Sequence, residues 1–275
     1  MSAGPLDPDA PIGIFDSGLG GLTVARAVRR ALPNERLVYL GDTARVPYGT
    51  RSQHTVLRYA RTCGQHLAKH DIKLLVVACN TVSAVALPML RVELDVPVLG
   101  VIGPGARSGV EATKTHRLGV IATAGTVASG AYPRAVASVS SRTQVIQRAA
   151  PLLVPLVEEG WTEGEVPRLV IDRYLAPLLR EKIDALVLGC THYPLLAELI
   201  RERAAAHADA PVAVVDSAEA TARELSEVLL ERGIARQEPG DLRIWVTDRP
   251  ARFQEEAARF LGESVDGFEV QAIDL

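Results

Sequence analysis

Two short segments of this 275-residue chain, Cys79-Asn80-Thr81 and Cys190-Thr191-His192, carry residue types suited to moving a proton at carbon. Each ends an apolar run, 74–78 and 185–189, and each precedes a helical pattern. A thiol at such a junction meets the free backbone N–H groups of a helix N-terminus, which favour its anionic form and also bind carboxylates. A lone cysteine at a strand end is most often a small buried hydrophobe. Two of them, each followed by amide or hydroxyl side chains, favour a paired chemical role. Cys63 is the contrast. It keeps step with Val56, Tyr59, Ala60 and Leu67 on one helix face and is expected to be a core thiol.

The elements that must position these groups are short apolar runs alternating with longer helical patterns. Strands are expected at 12–15, 37–40, 74–78 and 96–102, with helices at 22–32, 51–70 and 81–94 between them. Buried strands without polar alternation, separated by helices, predict a parallel sheet covered on both faces. The pattern then repeats with strands at 117–121, 144–146, 185–191 and 211–215. Gly119 lies 106 positions after Gly13, Cys190 lies 111 after Cys79, and Pro211 lies 114 after Pro97. A slowly growing offset is what two copies of one unit show when their loops have drifted.

The fold class is therefore α/β: two similar open parallel-sheet domains related by a pseudo-two-fold axis, with the active site in the cleft between them. The expected division is 1–98 plus 212–275 for the first domain and 99–211 for the second. An amphipathic helix at 219–231, a strand near 243–246 and a helix near 253–261 are expected to return to the first domain.

Ligands of such sheets bind at the carboxyl ends of the strands. That places Asp16 and Ser17, Asp42 and Thr43, Cys79 to Thr81, Thr123 and Thr126, and Cys190 to His192 around the cleft. Gly18-Leu19-Gly20-Gly21-Leu22-Thr23 has Thr23 where a dinucleotide loop needs Gly or Ala, so it reads as a tight turn offering N–H groups to a small anion. Cys190 with His192 also fits nucleophilic acyl transfer. The alternative for His192 is a strand-end residue bonded to nearby backbone.

Composition narrows the classes. The net charge of −3, from 30 basic and 33 acidic residues, offers no bulk attraction to nucleic acid or anionic lipid. No apolar run approaches the roughly 20 residues of a spanning helix, and the N-terminal stretch has no signal-peptide pattern. An odd count of three cysteines argues against a disulfide framework, so a cytoplasmic setting is expected. Scattered histidines, read as having neither Cys-x-x-Cys nor His-x-x-x-His spacing, argue against a metal centre. The only lysines are Lys69, Lys73, Lys114 and Lys182, at helix ends or ahead of strands. None is placed for a pyridoxal phosphate Schiff base, so no cofactor is expected.

Four blocks carry a family resemblance. Asp16-Ser17-Gly18-Leu19-Gly20-Gly21, Gly41-Asp42-Thr43-Ala44-Arg45-Val46-Pro47-Tyr48-Gly49, Ala78-Cys79-Asn80-Thr81 and Leu188-Gly189-Cys190-Thr191-His192-Tyr193-Pro194-Leu195-Leu196 resemble the signature blocks of glutamate racemases, in the cofactor-independent aspartate/glutamate racemase superfamily. The match runs in order over about 12–216, and the segment 154–160 is similar to a fifth block. Ala150 precedes Pro151 where the family usually has Cys.

The resemblance implies interconversion of L- and D-glutamate, an isomerase activity, by two bases at the α-carbon, supplying D-glutamate for peptidoglycan. Cys79 is expected to take the proton from the D-isomer and Cys190 from the L-isomer. Asp16 would assist Cys79 and meet the substrate ammonium. His192 would assist Cys190, with Glu158 behind it. Ser17, Pro47, Tyr48, Gly49, Asn80, Thr81, Thr123, Thr126 and Thr191 would hold the carboxylates and amine. His192 stands where aspartate racemases typically carry an acidic residue. The expected partner is the small-molecule substrate, with no nucleic acid and no membrane, and the expected assembly is a homodimer. Aspartate racemase or a related amino-acid isomerase is the enzyme alternative, and a DNA gyrase-binding protein is the alternative of a different class.

Overall fold

The central strands are apolar along their whole length because both of their faces are covered. In the computed structural model, which describes residues 6–248 and 253–275, the strands β1 (Ile12–Asp16), β2 (Leu37–Gly41) and β3 (Leu74–Val77) are buried throughout. Alternate side chains sort to the two sides. Ile12, Ile14, Leu37, Tyr39, Leu74 and Val76 join one apolar cluster, and Phe15, Val38, Leu40, Leu75 and Val77 join the other. Helix α1 (Leu22–Ala31) covers the first side, and α2 (Gln53–Ala68) and α3 (Asn80–Glu93) cover the second.

With β4 (Val98–Gly100), these strands lie in the order β2-β1-β3-β4, all parallel. The second sheet repeats that arrangement. β5 (Arg117–Ala122), β6 (Gln144–Ala149), β7 (Ala185–Gly189) and β8 (Ala213–Asp216) lie in the parallel order β6-β5-β7-β8. The matched order is the structural counterpart of the slowly growing sequence offset.

The pairing moves the expected boundaries. β4 extends to Gly100 in the first sheet, beyond the division at 98, and β8 pairs with β7 in the second sheet rather than opening a return to the first at 212. The reason is the repeat itself: β8 is the counterpart of β4, so the return begins only after Asp216. Two helices make the crossings, α4 (Ile102–Ala112) outward and α10 (Ser217–Glu231) back, and they pack on each other, with α10 also against α1. The tail then adds β9 (Leu242–Val246) beside β2 and β10 (Glu269–Ala272) at the sheet edge. β10 has no sequence signal, since Val270 is its only large apolar residue. Helix α11 (Phe253–Leu261) buries Phe253, Ala257, Phe260 and Leu261.

Lys73 lies at the amino end of β3, away from the strand ends that matter for chemistry. It is fully buried, paired with Glu35 at 2.6 Å, and donates to the carbonyls of Pro8 and Ile234 at 2.7 and 2.8 Å. One ammonium thus ties the N-terminal segment, the β2 entry and the end of α10 together. Removing it leaves the Glu35 carboxylate buried and uncompensated. Lys73→Met is expected to lower stability in urea titrations by about 3–5 kcal/mol. A loss below about 1 kcal/mol would mean that this pair contributes no more than an exposed one.

Candidate active site

The carboxyl ends of the two sheets meet across a cavity of about 560 Å³. Its wall takes Ser17 from the turn after β1, Tyr48 and Gly49 from the loop after β2, and Cys79 from the end of β3. From the second sheet it takes Thr123 after β5 and Cys190 after β7. Cys79 and Cys190 thus come from equivalent strand ends of the two repeats and line one space. Pro47, Asn80, Thr81, Glu158, Thr191 and His192 also reach the wall, whereas Asp16 and Thr126 stand directly behind it. Among the described residues, no Lys or Arg side chain lines the cavity.

On the first-domain side, Cys79 caps α3 in an extended conformation and its Sγ lies 3.4 Å from Ser17 Oγ. Burial and the nearby Asp16 charge push this thiol up to about 12, against the opposing pull of the Ser17 hydroxyl and the Val82 N–H. Asp16 is fully buried. Its Oδ2 accepts from the Gly18 N–H at 3.0 Å, while its Oδ1 has no hydrogen-bond partner. Burial raises its carboxyl above the ordinary range, opposed by the N–H groups of Gly21, Gly18 and Ser17 and by the charge of His192.

The second-domain side has a different escort. His192 Nδ1 lies 3.9 Å from Cys190 Sγ, and its Nε2 lies 3.2 Å from Glu158 Oε1, at the end of α7 (Leu153–Glu158). Burial works against the imidazolium. The hydrogen bonds and charges of Cys190 and Glu158 outweigh it and hold the ring up at about 10. Gly20 makes this approach possible, because a Cβ there would fall 2.5 Å from the His192 ring.

Hydroxyl and amide groups complete the wall. Thr81 and Thr123 Oγ1 are 3.0 Å apart, and Thr126 Oγ1 lies 3.0 Å from Thr123 behind them. Asn80 donates through Nδ2 to the Tyr132 hydroxyl at 3.0 Å, and its Oδ1 is unpartnered. Tyr48 departs from its expected use. Its hydroxyl donates to the buried Asp42, which also accepts from Arg45 Nε at 2.8 Å and from Thr247 Oγ1 at 2.8 Å. Its ring and main chain are what remain for a ligand.

Several wall residues escaped the sequence reading. Phe260 and Glu256 of α11 reach the cavity, and the Phe260 ring meets His192 edge-on with centroids 5.0 Å apart. Arg259 donates to the carbonyls of Val157 and Glu158 at 2.9 and 2.7 Å, fastening the carrier of Glu158 to this helix. In sequence Phe260 is one more member of an apolar helix face, and nothing sets it apart. The expectation of no His-x-x-x-His spacing is corrected by His66 and His70, which stand four apart at the end of α2. Their rings lean on Trp245, and no group of three or more His, Cys, Asp or Glu able to hold a metal ion occurs among the described residues. Cys63 is fully buried, as expected, in the cluster between α2 and the sheet. No helix among the described residues is long and apolar enough to cross a membrane.

Comparison with known proteins follows the same lines. Residues 22–225 match the family model described as Asp/Glu/Hydantoin racemase. A glutamate racemase from Syntrophus aciditrophicus is 49% identical over 261 residues, 94% of this chain and 95% of that protein. The crystal structure of a glutamate racemase from Bacillus anthracis superposes with a TM-score of 0.91 at 38% identity, covering 97% of this chain and 98% of that one. That of a Francisella tularensis glutamate racemase in complex with D-glutamate gives 0.89 at 32% identity, with the same coverage.

The His192 environment yields a direct expectation. In a nitrogen-15 NMR titration its imidazole should hold both protons until near pH 10, and Glu158→Gln should move that midpoint down by removing one of the groups that raise it. The sign for stability is the same. A raised histidine contributes its stabilisation below its ordinary value, and loses it as pH rises through about 10. An unchanged midpoint in Glu158→Gln would mean that the 3.2 Å contact is electrostatically idle.

Proposed function

The chain belongs to the Asp/Glu/hydantoin racemase family and is a racemase; from that premise we propose that it interconverts L- and D-glutamate by two cysteines acting on opposite faces of the α-carbon. One observation carries this reading: thiols from equivalent strand ends of two repeated domains line a single cavity, with an imidazole beside one of them and, among the described residues, no Lys or Arg in its wall.

The α-hydrogen of an amino acid is far less acidic than a thiol, whose ordinary value is about 8.5. Proton transfer needs help from groups that stabilise the developing carbanion. Helix N-termini and the Thr81, Thr123 and Thr191 hydroxyls supply donors for two carboxylates. The unpartnered Oδ1 of Asn80, a wall residue, is an acceptor suited to an ammonium group.

For the L-isomer, Cys190 as thiolate takes the α-proton beside the His192 imidazolium, and the neutral Cys79 thiol gives its proton to the other face. One C–H bond breaks and another forms. Cys190 ends as thiol and Cys79 as thiolate, which is the protonation state that the D-isomer requires. Relaxation between the two states moves a single proton, with Asp16 and His192 as the adjacent carriers. The D-glutamate so made would serve peptidoglycan synthesis, and a cytoplasmic setting suits that use and free thiols.

Replacing either sulfur is expected to nearly abolish racemisation, because a serine hydroxyl is too weakly acidic to supply the anionic base near neutral pH. In deuterium oxide, Cys190→Ser should still exchange the α-hydrogen of D-glutamate, and Cys79→Ser that of L-glutamate, as read by mass spectrometry after chiral separation. Cys63→Ser should retain racemisation. Substantial racemisation by either single-sulfur variant would overturn the two-base mechanism.

The substrate assignment has its own test. A cavity set for a five-carbon diacid leaves wall donors unpaired when the acid is one methylene shorter. At least about a hundredfold preference in kcat/KM for glutamate over aspartate is expected. Comparable values for both acids would favour an amino-acid racemase of broader range.

A further inference from the structure

The glycine-rich turn after β1 departs from a dinucleotide loop at Thr23, and the structure gives that residue a different task. We propose that Thr23 is a positioning residue for the reaction: its hydroxyl reaches across the domains to hold the main chain between Cys190 and His192, and so seats the His192 ring beside the Cys190 sulfur. The inference rests on the glutamate reading for its kinetics, but the hydrogen bond and the ring placement stand on the protein alone.

The need for such a donor arises in the local sequence. His192 opens a 3-10 turn over Tyr193–Leu196, in which carbonyls accept from N–H groups three positions on. The Cys190 carbonyl accepts from the Tyr193 N–H at 3.2 Å, and the His192 carbonyl from the Leu195 N–H at 3.2 Å. The Thr191 carbonyl lies between them, and its local donor would be residue 194. That residue is Pro194, which has no N–H to give. The local chain thus leaves one carbonyl unmet, in the peptide that joins Thr191 to His192. Thr191 is buried, and a buried carbonyl must find a partner elsewhere or carry the cost of its lost water.

The partner comes from the other domain. Thr23 is the second residue of α1 and is buried, and its Oγ1 donates to the Thr191 carbonyl at 3.0 Å. Among the described residues no other hydrogen bond to that carbonyl occurs. The same hydroxyl lies 2.9 Å from the Gly20 carbonyl, but Gly20 also accepts from the Thr23 N–H at 3.1 Å and does not depend on the side chain. The two surfaces meet closely here. A Cβ on Gly20 would fall 2.5 Å from the His192 ring and from Thr191 Oγ1, and that ring stands 3.9 Å from Cys190 Sγ. The Gly or Ala that a dinucleotide loop needs at position 23 would leave the Thr191 carbonyl without its donor.

In the wild-type protein the Thr23 hydroxyl hydrogen should exchange with water slowly enough to be seen by NMR; rapid exchange would overturn the proposal at its first step. Thr23→Val then removes the hydroxyl at nearly constant volume, and Thr23→Ser keeps it. The titratable groups facing His192 are Cys190 on its own turn, Glu158 at the end of α7 and Asp16 at the end of β1, with Glu256 of α11 on the same wall. Neither substitution alters any of them. With the ring unseated, the contacts that hold it up at about 10 weaken, so its nitrogen-15 midpoint should fall by about half a pH unit or more in Thr23→Val, the size of one ordinary hydrogen bond. The kcat/KM for glutamate should fall about tenfold in Thr23→Val and return to within about threefold of wild type in Thr23→Ser. In a His192→Asn background, Thr23→Val should cost less than about twofold, because the ring it positions is already gone. An unmoved midpoint, an equal loss in the His192→Asn background, or a Thr23→Ser variant as poor as Thr23→Val would each overturn the proposal. If the midpoint falls but the wild-type protein does not turn over glutamate, the glutamate reading fails and the placement of His192 by Thr23 stands.

Discussion

Everything at this site depends on two sheet edges being held face to face, close enough for one small molecule to touch both. Each sheet alone offers half a site: one cysteine, one helix N-terminus, one set of hydroxyls. The contacts that close the pair are directional. Thr23 Oγ1 donates to the Thr191 carbonyl at 3.0 Å, the Gly125 N–H donates to the Gly49 carbonyl at 3.1 Å, and Thr81 meets Thr123. Such bonds fix distance and angle more narrowly than apolar contact does. The apolar cluster beneath them, continuous from β1 and α1 through α10 to β7, supplies the bulk of the attraction without that geometric demand.

The C-terminal segment does more than extend the first sheet. Thr247, just past β9, bonds Asp42, and through it the segment steadies the loop that carries Pro47, Tyr48 and Gly49. Further on, Phe260 and Arg259 brace His192 and the end of α7. A stretch outside the internal repeat thus sets side chains on both walls. The two halves could not be braced in this way by their own loops, which are already spent on the cavity.

The sequence carried the repeated strands clearly because buried parallel strands demand unbroken apolar runs, as in 74–77 and 185–188. It carried the two cysteines because position, not residue type alone, distinguished them from Cys63. The limits have equally physical causes. β10 is an exposed edge strand with one large apolar residue, so its pairing leaves no pattern. The domain crossing after Asp216 was misplaced because a strand of the fourth type says nothing by itself about which sheet it joins. Phe260 was invisible because its role arises from a contact with His192, 68 positions away along the chain. Tyr48 was found, but the destination of its hydroxyl, buried Asp42, was not legible from the local motif.

The unequal escorts of the two sulfurs raise a thermodynamic question that the near-symmetry of the scaffold does not answer. Cys79 has a serine hydroxyl and a buried carboxyl beside it; Cys190 has an imidazolium braced by Glu158 and Phe260. For a racemase the two substrates are mirror images with equal free energy in water. The overall equilibrium constant is therefore one, and kcat/KM must be equal in the two directions whatever the protein does. Unequal flanks can change kcat and KM only together, direction by direction. What they can set freely is the resting protonation state of the empty enzyme, and so the isomer that finds its base already prepared. Under the proposed two-base mechanism, a neutral thiol at Cys79 and a cation beside Cys190 favour the state that meets the L-isomer. The asymmetry thus governs how the enzyme waits between turnovers, while the repeat governs what it can do within one.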